Sequence, residues 1–192
     1  MEPLTCGFWS GSSSRFKRII TIIACFLFLI TLSVAGTLTP ISTEYSKDTN
    51  NQLNQVHSSV ENAGVLGGTL LFFENNFLID LVMFIPVVGP IFGSYVIYNT
   101  GRGINAESNS PNNTSHLPAT LLLFLLFVLP DTWLEFIAYS TALAASVWLT
   151  WGIIEGRGRH EIIRTAEFVA ICAGLLLLAA FIEAYIVIVL GL

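Results

Sequence analysis

Four acidic residues that could carry chemistry lie inside long apolar stretches of the sequence: Asp80, Asp131, Glu135 and Glu183. A charged side chain at the centre of a membrane helix costs about 2.5–3.5 kcal/mol on insertion scales. No lysine or arginine lies within these stretches to neutralise the acids. We therefore expect each carboxyl group to be protonated, hydrogen-bonded to a helix end or a hydroxyl group, or in contact with water.

Two interpretations of these acids remain open. Asp131 and Glu135 are four residues apart and share one helix face, so Glu135 could meet Glu183 in the centre of a bundle as part of a proton or ion pathway. Alternatively, the acids have a structural role, in which they cap broken helices and join neighbouring helices by hydrogen bonds. Asp131 follows Pro130 and suits the structural role, because the helix dipole favours an acid at a helix N-terminus.

Other residue types that bind metals or act as nucleophiles are few and scattered: His57, His116, His160, Cys6, Cys25 and Cys172. The cysteines form no CxxC pair and no cysteine–histidine pair at metal-ligand spacing. The sequence also contains no GxSxG, P-loop or HExxH pattern. We therefore expect no enzyme activity, no cofactor and no metal site.

The composition is that of an integral membrane protein. Of the 192 residues, 54% are hydrophobic and 11% are charged, whereas a soluble chain carries about 25% charged residues. The apolar residues form blocks long enough to cross a bilayer core of about 30 Å. The net charge is −5 and the basic residues form no large patch, which argues against nucleic acid as a partner. We expect membrane lipid and other membrane proteins instead.

The apolar blocks predict a single all-α membrane domain, residues 1–192. Its predicted parts are a mobile N-terminus (1–17), helix 1 (18–39), an external segment (40–72), a kinked helix 2 (74–99), a broken hairpin (118–151) and a last helix (165–191). A basic start followed by an apolar run is also typical of a signal peptide, but we expect helix 1 to be retained as a membrane anchor.

Proline and glycine residues are expected to distort helix 2. Pro86 and Pro90 each remove a backbone hydrogen bond, so this helix should be kinked or locally unwound. Irregular backbone at membrane depth requires protein or water to satisfy the freed carbonyl groups. Gly89 and Gly93 are four residues apart and would let a neighbouring helix approach closely. Helix 2 is therefore expected to pack against other helices.

Pro130 divides the next block into a short helix, 118–129, and a full helix, 132–151. The short helix covers only about 18 Å at helical rise, so it either re-enters the membrane or forms a short span. A hairpin at Pro130 places seven of the eight basic residues, Arg102 included, in the cytoplasm, as the positive-inside rule favours. The expected bundle has about five transmembrane or re-entrant helices in the cell membrane, with the N-terminus cytoplasmic and the C-terminus external.

Four motifs follow one another along the chain: Phe73-Glu74-Asn75-Asn76 ahead of Gly89 and Gly93, Tyr98-Asn99-Thr100-Gly101, Leu129-Pro130-Asp131-Thr132-Trp133-Leu134-Glu135, and Phe181-Ile182-Glu183-Ala184-Tyr185. Their order resembles the stage II sporulation protein M family of multi-pass membrane proteins over about residues 19–190. The resemblance implies a helical bundle that serves as a scaffold or component of a multiprotein machine. The family has His and Gly after the proline, where this chain has Asp131 and Thr132, so an activity that depends on that histidine is not expected.

Two functions are expected from these features. One is a non-catalytic membrane subunit or scaffold of a larger complex, since few charges and a Gly/Pro-rich helix suit a protein that packs against neighbours. The other is a small transporter or permease-like protein that uses buried carboxylates for ion or proton coupling. A transporter should form a water-accessible cavity lined by Asp80, Glu135 and Glu183, whereas a subunit should keep these acids dry.

Overall fold

A computed structural model describes residues 14–110, 117–156 and 158–190, and these ranges contain helices and connecting turns only. The α-helices are α1 (Ser14–Leu38), α2 (Thr43–Met83), α3 (Val88–Ser108), α4 (Ala119–Leu126), α5 (Pro130–Ile154) and α6 (Gly158–Tyr185), and a π-helical turn (Ile186–Leu190) continues α6. Most of the predicted N-terminal segment 1–17 lies outside the described residues, as do Cys6, His116 and Arg157. The prediction of an all-helical fold is confirmed for these residues.

Four of these helices are long and apolar enough to cross a membrane: α1, α2, α5 and α6 with its π-helical extension. α3 has 21 residues, or about 32 Å at helical rise, but its second half carries Asn99, Arg102 and Asn105. α3 packs mainly against α1 and α2. The chain is therefore a membrane-type helical bundle in which a more polar helix is flanked by apolar ones.

α2 and α3 form a hairpin, where the sequence predicts one kinked helix (74–99). Gly89 at the start of α3 packs against Met83 at the end of α2. At the other end of the pair, the Ser46 hydroxyl donates to the carbonyl of Ala106 at 3.1 Å. These two contacts make the helices antiparallel, so the break reverses the chain instead of bending one helix.

The turn of this hairpin has a strained backbone at Val87. Val87 has φ 65° and ψ −47°, and the Val88 N–H donates to the Pro86 carbonyl at 2.7 Å, which is the geometry of the rare γ-turn with positive φ. The Ser146 hydroxyl of α5 donates to the Ile85 carbonyl at 2.7 Å. The same carbonyl also accepts from the Gly89 N–H at 2.8 Å, so the Ser146 hydroxyl is a second donor that joins the turn to α5.

α1 and α3 meet backbone to backbone. A Cβ atom at Gly36 would overlap the carbonyl oxygen of Tyr98, and one at Gly101 would overlap the carbonyl oxygen of Ser33. Glycines at such a crossing let two helices approach closely enough for extensive van der Waals contact in a membrane. The Thr39 and Tyr98 hydroxyl groups lie 2.8 Å apart and extend the contact. The α1–α3 pair is therefore fixed by glycine at two reciprocal positions.

The predicted external segment 40–72 is helical from Thr43 onward. Ser42 caps α2 by accepting the Tyr45 N–H at 3.2 Å, and Gly64, with φ 67° and ψ 175°, bends the helix. The part before Gly64 is polar, and 51–59 is exposed throughout. The apolar part that suits a membrane begins after Gly64, so the structure corrects the predicted boundary near residue 74.

The two ends of the bundle are marked by two arginines. Arg18 of α1 donates to both carboxylate oxygens of Glu161 in α6, at 2.6 and 2.8 Å, so the N-terminus of α1 and the start of α6 share one end, the Arg18 end. Arg102 lies over the Tyr45 ring, 4.1 Å from its centroid, at the opposite Arg102 end. The prediction that Arg102 shares a side with the N-terminal basic residues is wrong, because the α2–α3 hairpin returns the chain to the far end.

The break at Pro130 is present, but the structure corrects the predicted hairpin. α4 packs against α1 and α3 instead of folding back along α5. α5 continues to the Arg18 end, where Gly152 packs against Glu161. The Trp133 indole N–H donates to the Phe127 carbonyl at 2.8 Å, which satisfies one carbonyl at the break. α4 and α5 together therefore run once from the Arg102 end to the Arg18 end.

Candidate functional site

The four acids singled out from the sequence come from α2, α5 and α6 and converge in the bundle. Glu135 lies close enough to Glu183 and Asp131 to interact with them electrostatically. The buried Tyr139 also lies close enough to Glu135, Asp80 and Glu183 to interact with them electrostatically. Asp80, Asp131, Glu135 and Glu183 are called the acid cluster below.

Asp80 is the most enclosed member of the acid cluster. Its side chain is 0% exposed, and neither carboxylate oxygen has a hydrogen-bond partner among the described residues. It lies in the last turn of α2 and near the buried Cys172 of α6. The Asp80 side chain therefore lies in the core of the bundle and not on the surface that faces the membrane.

Asp131 occupies the first turn of α5 and is 5% exposed. Its carboxyl group lies near its own backbone N–H and that of Thr132, which are among the N–H groups that a helix start leaves without partners. One of its carboxylate oxygens and one of Glu183 have no partner among the described residues. Asp131 thus lies at a helix N-terminus, where the helix dipole favours an acid.

Asn76 joins α2 to the acid cluster. Its amide nitrogen donates to a carboxylate oxygen of Glu135 at 2.5 Å. Asn75, the preceding residue, is exposed on the other side of α2, and its amide donates to the Asn76 side chain at 3.2 Å. The sequence analysis named both asparagines but did not predict the link to Glu135, which is 59 residues away.

α5 is the central helix that positions the cluster. In its most apolar stretch 61% of residues are buried, against 17–22% in the other three candidate spans. It contributes Phe136, Tyr139 and Leu143 to the hydrophobic core, which also contains Met83 and Cys172. Small residues such as alanine and serine fill most of its remaining buried positions. They let the neighbouring helices pack closely around α5.

The other residues predicted from the sequence lie outside the acid cluster. A Cβ at Gly93 would meet the Leu143 side chain of α5, so Gly93 does permit a close helix contact. Asn99 donates to the Tyr95 carbonyl at 2.8 Å and accepts from Arg102 at 3.2 Å, near the Arg102 end. Pro130 is the first residue of α5. These residues shape the helices that surround the cluster.

No metal centre coincides with the acid cluster among the described residues. No group of three or more His, Cys, Asp or Glu side chains in the described ranges is arranged to hold a metal ion. A cavity of about 400 Å³ opens at the Arg102 end, and its lining residues include Ser42, Ser46, Asn105 and Asn109 but none of the four acids. This cavity is therefore separate from the acid cluster.

A model of the family described as stage II sporulation protein M matches residues 20–187. The chain belongs to this family. The match extends from the first turns of α1 to the end of α6 and includes the whole acid cluster. No curated protein and no solved structure matches the chain.

The motifs that carry the resemblance to the stage II sporulation protein M family meet in space. The Asn-Asn motif lies on α2 and the Pro-to-Glu motif on α5, and the Asn76–Glu135 hydrogen bond joins them. The Ile-Glu motif contributes Glu183, which lies close to Asp131. The family motifs therefore describe one partly buried polar site made by three helices.

Proposed function

We propose that this member of the stage II sporulation protein M family is a non-catalytic membrane subunit or scaffold of a larger complex in the cell membrane. The observation that carries the proposal is the burial of two members of the acid cluster, whereas Glu135 and Glu183 are partly exposed. Asp80 and Asp131 are buried, and the cavity at the Arg102 end is lined by other residues. Transport through the cluster would require access for water or solute to these carboxylates.

The contacts of the acids support a structural role in such a subunit. The Asn76–Glu135 hydrogen bond joins α2 to α5, and Asp131 lies in the first turn of α5, where the helix dipole favours an acid. Hydrogen bonds between membrane helices contribute on average about 0.6 kcal/mol each, and at most about 1.7. The Asn76–Glu135 bond would help to hold α2 against α5 while the outer surface of the bundle contacts lipid and other membrane proteins.

The unpartnered carboxylate oxygens favour a second candidate, a proton- or ion-coupled transporter. Asp80, Asp131 and Glu183 each bury at least one oxygen that has no hydrogen-bond partner among the described residues. A buried polar atom without a partner costs about 1–3 kcal/mol, and such a cost is typical of intramembrane acids that bind protons or ions. Both candidates involve the same acids, but only the transporter requires a flux of protons or ions across the membrane.

Purification of the tagged protein from its native membrane in a mild detergent tests the two candidates. We expect partner chains to co-purify at a fixed ratio. We also expect proteoliposomes of the wild type, Glu135→Gln and Glu183→Gln to show the same background proton flux. A preparation that contains this chain alone, together with a proton flux that Glu135→Gln abolishes, would contradict the scaffold proposal.

The orientation proposed for this subunit places the Arg18 end in the cytoplasm. That end holds Arg15, Lys17 and Arg18 and, in the first two turns of α6, Arg159 and Arg164, whereas Lys47 and Arg102 lie at the other end. The excess of basic residues agrees with the positive-inside rule. The C-terminus is then external, because α6 runs away from the Arg18 end.

Single cysteines test this orientation in a variant without native cysteines. Asn109 and His160 are both exposed and lie near opposite ends of the bundle. A membrane-impermeant thiol reagent should label Asn109→Cys from outside the cell and His160→Cys only after the membrane is opened. Labelling of both positions from the same side would show that the two ends are assigned incorrectly.

A further inference from the structure

Glu74 and Asn75 are exposed near the middle of the apolar part of α2. This part, residues 65–83, is about 28 Å long at helical rise, and Glu74 is its central residue. Exposed leucines precede and follow the two polar residues, with Leu71 43% and Leu78 56% exposed. Glu74 and Asn75 therefore face outward at a depth where the surroundings of a membrane helix are apolar.

The polar pair on this face lacks partners within the bundle. The Glu74 side chain makes no hydrogen bond with the described residues, and Asn75 reaches only the Asn76 side chain. A charged side chain facing lipid at mid-depth is strongly unfavourable. By contrast, Asn76 and Asp80 on the opposite face of α2 belong to the buried site. The outward pair requires a polar partner that the isolated chain does not supply.

Four exposed residues of this part of α2, together with the half-buried Gly67, follow the spacing of a helix-pairing seam. They recur at intervals of four, three, four and three residues, and we call them the α2 stripe: Gly67, Leu71, Glu74, Leu78 and Leu81. At 100° per residue they lie within about 40° of one line along the helix. Intervals of three and four are the a and d positions of two helices that pack side by side. A Cβ at Gly67 would meet only Ala63 of its own helix, which leaves room for a second helix.

We propose that the α2 stripe pairs two copies of this chain side by side across a two-fold axis along the membrane normal. Two copies inserted in the same direction place Glu74 at the same depth, so each copy supplies the polar group that the other requires. In seam packing each residue inserts among four residues of the facing helix. Glu74 of one copy then packs against Glu74 and Asn75 of the other, and each Asn75 amide donates to the opposite carboxylate.

Symmetry favours a second copy over lipid or an unrelated helix. Lipid tails offer no hydrogen-bond donor to Glu74. A different protein would need a hydrogen-bond donor at the matching depth beside a seam of the same spacing. A second copy has both, because its sequence is the same. In a two-fold interface the same patch serves both partners, as the reciprocal Glu74–Asn75 pairs do. The pairing uses none of the acid-cluster residues, so it stands whether the protein is a scaffold or a transporter.

Disulfide cross-linking of the full-length protein in its native membrane tests the pairing, in a variant without native cysteines. We expect Leu78→Cys to form a covalent dimer on mild oxidation. The control is Leu66→Cys, which is 78% exposed but lies about 100° away from the stripe, and it should remain monomeric. A Leu78→Cys product that contains a different protein, an absence of any product, or equal dimer yields at both positions would overturn the proposal.

A second set of variants tests the polar pair itself. Glu74→Leu should lower the dimer yield at Leu78→Cys by about threefold to tenfold, the range for loss of one or two hydrogen bonds between membrane helices. Glu74→Gln keeps a hydrogen-bonding side chain and should retain most of the yield. Because Glu74 is exposed, both variants should fold as the wild type does, which a circular dichroism melt checks. Equal yields for the two variants would show that Glu74 does not join the copies.

Discussion

A leucine in place of Gly101 is expected to separate α1 from α3 and to destabilise the protein by about 3 kcal/mol, the upper part of the range for overpacked contacts. The side chain would have to occupy the space of the Ser33 carbonyl oxygen and the Thr37 backbone nitrogen. Both obstacles are backbone atoms, so neither can rotate away as a flexible side chain would. The α1 helix must therefore shift as a whole, and it would lose its contact with α3 along its length.

Thermal unfolding in a mild detergent, followed by circular dichroism, measures this effect. Gly103→Leu is the matched control, because a Cβ at Gly103 on the same helix meets nothing within 4 Å. The control adds a better helix former without a clash, so its midpoint temperature should stay level or rise. If Gly101→Leu unfolded at the same temperature as Gly103→Leu, the backbone contact between α1 and α3 would be refuted.

The second large effect is expected from Glu161→Ala. This change leaves the guanidinium of Arg18 with no carboxylate, and the two side chains of the ion pair are only 12% and 4% exposed. Removing one partner of a buried ion pair costs about 3–5 kcal/mol, because the remaining charge is buried without compensation. Arg18 keeps its contact with the Trp148 ring, 4.8 Å from its centroid, which places the expected cost near the lower value.

A double-mutant cycle separates the ion pair from other effects of the substitution. Arg18→Ala combined with Glu161→Ala should be less destabilising than the sum of the two single changes, since no unpaired charge remains. Glu167→Ala, at an exposed position of the same helix, should change the stability by less than about 0.5 kcal/mol. Strict additivity of Arg18→Ala and Glu161→Ala would mean that the pair contributes nothing to the folded state.

The sequence predicts the elements of this fold better than the way the chain connects them. Apolar runs longer than a bilayer core identify α1 and α6, and Pro130 marks the start of α5. A proline, however, predicts only that the regular helix is interrupted, and it does not predict the direction that the chain then takes. Whether Pro86 bends or reverses the chain depends on contacts with distant residues, such as the bond between the Ile85 carbonyl and Ser146, 61 residues later. No local pattern contains that contact.

The incorrect prediction of the end at which Arg102 lies has a similar cause. The positive-inside rule compares sums of charges, and a single arginine adds little to either sum. Its side chain is held at the Arg102 end by the Tyr45 ring and the Asn99 amide, which are contacts between and within helices. The convergence of Glu135 and Glu183 was easier to foresee, because acids in apolar helices face the bundle interior wherever they can.

The contact between α1 and α6 also has a consequence for synthesis of the chain. Arg18 and Glu161 are separated by 143 residues, and at about 5–20 residues per second the ribosome needs about 7–30 seconds to make that interval. During this time α1 already resides in the translocation machinery or the membrane, with its arginine held by solvent or lipid headgroups at the surface. Glu161 of the last helix then replaces the solvent or headgroups as the partner of Arg18. The first helix therefore reaches its final contacts only when the last helix has been made.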